Sequence, residues 1–122
     1  TQQWLFFESD YVQSSVATLR HWVMTGKDKN RSQSMLDAKH GASLNALSVM
    51  DKHLASNEFL IGDRYTIADI SNYAYVHLAN EATLPLKDYA HVTRWIKSVK
   101  AQPRYLNEVH PYSIDPHSNK EL

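Results

Sequence analysis

Apolar residues in the first 24 positions fall on two adjacent helical stripes. Leu5, Val12, Val16, Leu19 and Val23 recur at helical spacing. Beside them run Trp4, Phe7, Tyr11, Ser15, Thr18 and Trp22, about one residue apart and so roughly 100° around the same helix. This pattern predicts one long helix over 3–24, apolar across a wide arc. The valine–leucine stripe suits a core. The aromatic and hydroxyl stripe suits a ligand, a partner or a neighbouring domain, or equally a second core face. Gly26 in the polar stretch 25–30 suits a left-handed helix end. A second helix is expected over 32–55, with Leu36, His40, Ser43, Leu47, Met50 and Leu54 at near-heptad spacing. Two long helices and a short loop make an antiparallel hairpin.

The strongest local signal is Tyr65-Thr66-Ile67-Ala68-Asp69-Ile70. Thr66 suits an N-cap, and Asp69 three residues on can reach back to the Thr66 amide, which is a capping box. Tyr65 and Ile70 have the spacing of a hydrophobic staple, and Gly62-Asp63 upstream suits a turn. A third helix is expected over 67–81, with Ile67, Ile70, Ala74 and Leu78 on one face. Leu84-Pro85-Leu86 breaks it. A fourth helix over 90–101 carries Val92, Trp95, Ile96 and Val99, and Pro103 closes it or opens a short turn through Val109. From His110 two prolines and polar residues predict an irregular tail. The expected organisation is an all-α bundle over 1–109 with a tail over 110–122.

Composition narrows the function classes. The 122 residues suffice for one domain with one core. Thirteen basic residues balance thirteen acidic ones, so no basic footprint points to nucleic acid. No cysteine is present, which removes disulfides, thiolate metal sites and a cysteine nucleophile. That fits a reducing compartment, and a cytoplasmic location is the expectation. No stretch reaches the length of a membrane span, and no basic-then-apolar leader opens the chain. The start at Thr1, without an initiator methionine, reads as the cut edge of a longer protein.

Candidate chemistry is sparse. The seven histidines form no H-x-x-x-H pair, so no metal site is expected. Glu8 and Asp10 do not share a helix face. There is no G-x-S-x-G and no glycine-rich phosphate loop. Asp69 could serve as a catalytic acid, but its place in the capping box accounts for it without chemistry. No catalytic residue is assigned.

These pieces together resemble the all-helical C-terminal domain of glutathione S-transferases. The resemblance rests on Gln3-Trp4-Leu5-Phe6-Phe7-Glu8, on Arg20-His21-Trp22, on Val92-Thr93-Arg94-Trp95 followed by Gln102-Pro103-Arg104, and above all on the stretch 59–70. It covers about residues 2–109 and implies about five helices with a long first hairpin. It also implies a missing N-terminal thioredoxin-like domain that holds glutathione and activates its thiol. This piece alone is then inactive. It would wall the pocket of a small hydrophobic electrophile with Tyr11, Ser15, Thr18 and Trp22, and contribute contacts to a homodimer. Aromatics with a few hydroxyls suit such a pocket, although Tyr11 and Trp22 could equally be core. Glu8 would meet the amine of glutathione, the co-substrate, from the partner subunit. Its simpler reading is a solvated surface acid. Arg20 and His21 could guide an anionic ligand or be exposed charges. The alternative function is a non-catalytic interaction module, as in translation factors that carry this domain.

Overall fold

A computed structural model of the chain describes residues 2–103. The expected irregular tail, and the turn through Val109, lie outside the described residues. Among those residues there is no β-strand, only an isolated bridge between Ile61 and Arg64. The elements are α1 (Gln2–Phe7), a π-helical segment (Glu8–Ala17), α2 (Thr18–Thr25), α3 (Gln33–Leu54), α4 (Ile67–Val76) and α5 (Ala90–Lys100). Short 3-10 turns occupy Lys27–Asn30, Ala79–Ala82 and Leu86–Asp88. The all-α bundle and its long first hairpin are as the spacing predicts.

The first rod runs unbroken from α1 through α2, because the junction residues Phe7, Ala17 and Thr18 keep right-handed helical angles. Its middle is wider than an α-helix. The Thr18 amide donates five residues back, to Gln13 O. Hydroxyls hold the widened backbone. Ser14 Oγ donates to Asp10 O at 2.6 Å, Thr18 Oγ1 donates to Gln13 O at 2.8 Å, and Ser15 Oγ donates to Tyr11 O. Side-chain hydroxyls that bond backbone carbonyls in this way distort a helix. The rod ends at Gly26, whose φ of 76° is the left-handed conformation glycine adopts without a Cβ clash. Ser32 then caps α3, accepting from the Met35 amide at 3.3 Å.

The core gathers Val12, Val16 and Leu19 from the rod with Leu47, Met50 and Leu54 from α3. Phe59 and Leu60 of the connecting loop join them, with Tyr73 and Val76 of α4 and Val92, Trp95 and Val99 of α5. Burial of this apolar set drives the bundle together.

Two polar ties fix how α3 and α5 meet. No side chain of its own caps α5. Instead Asp51 Oδ1, from α3, accepts from the His91 and Val92 amides at 2.9 and 3.0 Å. In return Arg94 of α5 donates to the carbonyls of Leu54, Asn57 and Glu58 at 3.1, 2.9 and 3.2 Å, where α3 ends. A carboxylate thus meets one helix N-terminus and a guanidinium meets the other's C-terminus, each the favourable sign for the helix dipole.

The capping box of α4 forms. Asp69 Oδ2 accepts from the Thr66 amide at 2.9 Å, and Thr66 Oγ1 accepts from the Ala68 amide at 3.2 Å. Asp69 reaches further than the box. It is fully buried, and its Oδ1 accepts from the Leu60 amide at 3.0 Å and from Trp95 Nε1 at 2.9 Å. These bonds set the rotation of α4 and correct the expected face. Ala68, Asp69, Asn72, Tyr73 and Val76 point inward, whereas Ile67 and Ile70 remain 59% and 53% exposed. The helix also stops at Val76 rather than near 81. The chain turns there into Ala79–Ala82, where Glu81 pairs with Arg20 of α2.

Replacement of Asp69 by Asn keeps the shape but turns an N–H₂ towards at least one N–H donor. Asp69→Asn is expected to lower unfolding free energy by about 2–4 kcal/mol, and Thr66→Ala by about 1 kcal/mol. Urea denaturation of the two single variants and the double variant should show coupling between the sites. Strictly additive losses would remove the box from this account.

Candidate functional site

Among the described residues the rod lines two open grooves. One lies between the π segment and α4, lined by Gln13, Ala17, Thr18, His21 and Tyr75, with a volume of about 290 Å³. The other lies at the start of the rod, lined by Gln2, Gln3, Phe6, Phe7, Asp10 and Tyr11, with a volume of about 490 Å³. Gln3 and Phe7 also line a smaller hollow of about 200 Å³ with Trp4, Val49 and His53. Aromatic rings build this end of the molecule. Trp4 meets Phe7 edge-on at 5.1 Å and His53 at 4.8 Å, and Phe7 lies 5.5 Å from Tyr11.

The four residues of the aromatic and hydroxyl stripe do not share one cavity. Thr18 lines the groove beside α4, and Tyr11, 60% exposed, lines the groove at the rod's start. Ser15 is buried, its hydroxyl bonded to Tyr11 O. Trp22 is buried beneath two cations, the Arg31 guanidinium 4.7 Å and the Lys39 ammonium 6.0 Å from its ring centre. Arg31 Nε is buried without a hydrogen-bond acceptor among the described residues. The stripe assumes α-helical spacing, and the π segment changes the phase of everything after Phe7.

Glu8 is not a solvated surface acid. It is 7% exposed, with Oε1 accepting from Gln13 Nε2 at 2.9 Å and Oε2 accepting from Ser71 Oγ at 3.1 Å. The reason is geometric. The wide segment brings the side chain five residues on above Glu8, and α4 packs Ser71 against its other oxygen. Arg20 is likewise not an exposed charge. It is buried, and both Nε and Nη2 donate to Glu81 Oε2. His21 lines the groove beside α4. Asp69, with its oxygens bonded to three buried or partly buried N–H groups, serves the fold. Sequence reasoning missed Gln13 and Tyr75 as groove residues. Gln13 belongs to neither apolar stripe, and Tyr75 lies off the expected face of α4.

Among the described residues no group of three or more His, Asp or Glu side chains is placed to hold a metal ion. None of their helices is long and apolar enough to cross a membrane.

Comparison with known proteins agrees with this architecture. The family described as glutathione S-transferase, C-terminal domain, matches residues 15–103. The chain belongs to that family. It is 30% identical over 108 residues to elongation factor 1-gamma-A of Xenopus laevis, covering 84% of this chain and 24% of that protein. It is 29% identical over 114 residues to the disulfide-bond oxidoreductase YghU of Escherichia coli strain K12, covering 84% of this chain and 38% of that one. The crystal structure of a glutathione S-transferase from Pseudomonas fluorescens superimposes with a TM-score of 0.82 at 31% identity, covering 86% of this chain and 52% of that one. The chain thus spans about a quarter to a half of the length of these proteins.

At the far end of α4 the His77 ring stacks on Tyr73, 4.1 Å between centres and 7° from parallel. Its Nδ1–H donates to Tyr73 O, since a carbonyl can only accept. Burial holds the His77 pKa below its ordinary 6.5, opposed by that hydrogen bond; Lys100 and Arg20 lower it further and Glu81 opposes them. Protonation is therefore harder in the folded chain than in the unfolded one. Between the folded value and 6.5 the unfolded state binds more protons, so stability falls as pH drops through that window. Urea midpoints at pH 7.5 and 5.0 should fall further for the natural chain than for His77→Phe, which keeps the stack. Equal falls would deny His77 this role.

Proposed function

We propose that this chain is the helical domain of a glutathione S-transferase, and that the groove between the π segment and α4 is its wall of the second-substrate site. The observation that carries this is the groove itself, in a chain of this family. Gln13, Thr18, His21 and Tyr75 offer an aromatic surface with a few polar atoms, the pattern of a small-molecule site. Thr18 touches the substrate in this reading, whereas Ser15 and Trp22 are buried and do not line the groove. A thioredoxin-like domain would hold glutathione, whose thiolate attacks the electrophile. The helical domain supplies no catalytic group and orients the electrophile for attack. In this reading the aromatic groove around Phe6 and Tyr11 faces a second subunit of a homodimer, and the protein works in the cytoplasm; Glu8, with both oxygens bonded inside the chain, is not offered to a partner's glutathione.

The identity with elongation factor 1-gamma-A keeps a second reading in play, a non-catalytic interaction module. The exposed Phe6, Tyr11, Ile67 and Ile70 are the surface it would use.

Titration of the ¹⁵N-labelled chain with 4-chloro-3-nitrobenzamide, an electrophile with an amide N–H edge, distinguishes the two, because the chain has no cysteine for it to modify. The amides of Gln13, Ala17, Thr18, His21 and Tyr75 are expected to shift together, and Thr18→Tyr should abolish the shifts by filling the groove. Absence of any shift in this group would leave the interaction module as the function.

A further inference from the structure

Resting on the reading of this groove as a ligand site, we propose that Glu8 is a positioning residue that turns the Gln13 amide so that its carbonyl oxygen faces the ligand. The groove then selects ligands that carry an N–H or O–H donor.

A glutamine amide has one donor end and one acceptor end, and either can face outward. Here the choice is made from below. Glu8 Oε1 accepts from Gln13 Nε2 at 2.9 Å. A flipped amide would set its oxygen against a carboxylate oxygen, with no proton between them. The carboxylate cannot turn away to relieve this, because Ser71 Oγ of α4 donates to Oε2 at 3.1 Å and Glu8 is buried. Gln13 itself is exposed and lines the groove, and none of the hydrogen bonds among the described residues engages its Oε1. The acceptor end is therefore the end left for a ligand.

A second acceptor lies in the same groove for an independent reason. Thr18 Oγ1 gives its only proton to Gln13 O at 2.8 Å, which leaves lone pairs alone on that oxygen. Two groove-lining residues thus carry a polar atom, Gln13 Oε1 and Thr18 Oγ1, fixed as an acceptor by bonds inside the rod. A ligand edge without a donor would strip water from both and return nothing, the situation that gives a polar pocket its discrimination. The ligand class that fits is a small aromatic or apolar molecule with a donor on one edge. Phenols, anilines, indoles and amides belong to it, whereas their O- and N-methyl analogues do not.

Indole and 1-methylindole test this, since they differ by the single donor. Affinities come from ¹⁵N chemical-shift titrations of the chain, read at the Gln13, Ala17, Thr18, His21 and Tyr75 amides. Indole should bind about fivefold tighter than 1-methylindole, the ratio one net hydrogen bond gives. Gln13→Leu should bring the ratio to about one. Glu8→Leu should lower it too, through indole alone, leaving 1-methylindole unchanged; a merely structural role for Glu8 would weaken both probes alike. Should Glu8→Leu fail to fold by circular dichroism, Ser71→Ala frees the carboxylate more gently and must also lower the ratio. Equal affinities at the groove in the natural chain, or a ratio that survives loss of Gln13, overturn the proposal while leaving the groove standing. Failure of both probes to shift these amides overturns the groove reading and this proposal with it.

Discussion

The Asp69 carboxylate is the constraint to which the other parts of the bundle are referred. It is fully buried, and it accepts from the Leu60 amide in the connecting loop, from the Thr66 amide at the start of α4 and from the Trp95 indole in α5. The loop and the helix start, close in sequence, and the final helix, 26 residues on, converge on two oxygen atoms. A buried carboxylate is tolerated only when its lone pairs are met, so the three donors and the carboxylate require one another. Loop, helix start and final helix therefore find their places together.

That constraint explains why the sequence is legible in some places and misleading in others. Helix positions, the ends at Gly26 and Ser32, the capping box and the buried face of α5 follow from local chemistry, and they read off the chain directly. The rotation of α4 does not. Counting apolar residues puts Ile67 and Ile70 inside, but Asp69 must face Trp95, and the helix turns with it. A single polar anchor outweighs a stripe because an unmet buried charge costs more than two exposed isoleucines. The end of α4 was hidden for a similar reason. No glycine or proline marks Val76, and the turn beyond it is tied by Glu81 to Arg20, a partner 61 residues away.

The groove was half legible. Thr18 and His21 line it, and both are candidates on the sequence alone. Gln13 and Tyr75 carry no signal a pattern could find. The stripe also failed to group its own members, since Tyr11, Ser15, Thr18 and Trp22 stay on one face only if the backbone keeps a constant phase. Hydroxyls at Ser14, Ser15 and Thr18 bond to carbonyls four or five residues back, and the phase shifts. Glu8 shows the same limit. Its burial depends on a side chain five residues on and another 63 residues away.

The widened middle of the rod also separates two fitting problems that a uniform helix would have to solve at once. At one end Trp4 must meet His53 of α3; at the other, Arg20 must meet Glu81 while Trp22 meets Arg31. In a straight α-helix the angle between those faces is dictated by the number of residues between them. A π segment absorbs the difference, as a vernier takes up a fraction of a division. Each end of the rod can then be adjusted to its own neighbour without dragging the other out of contact.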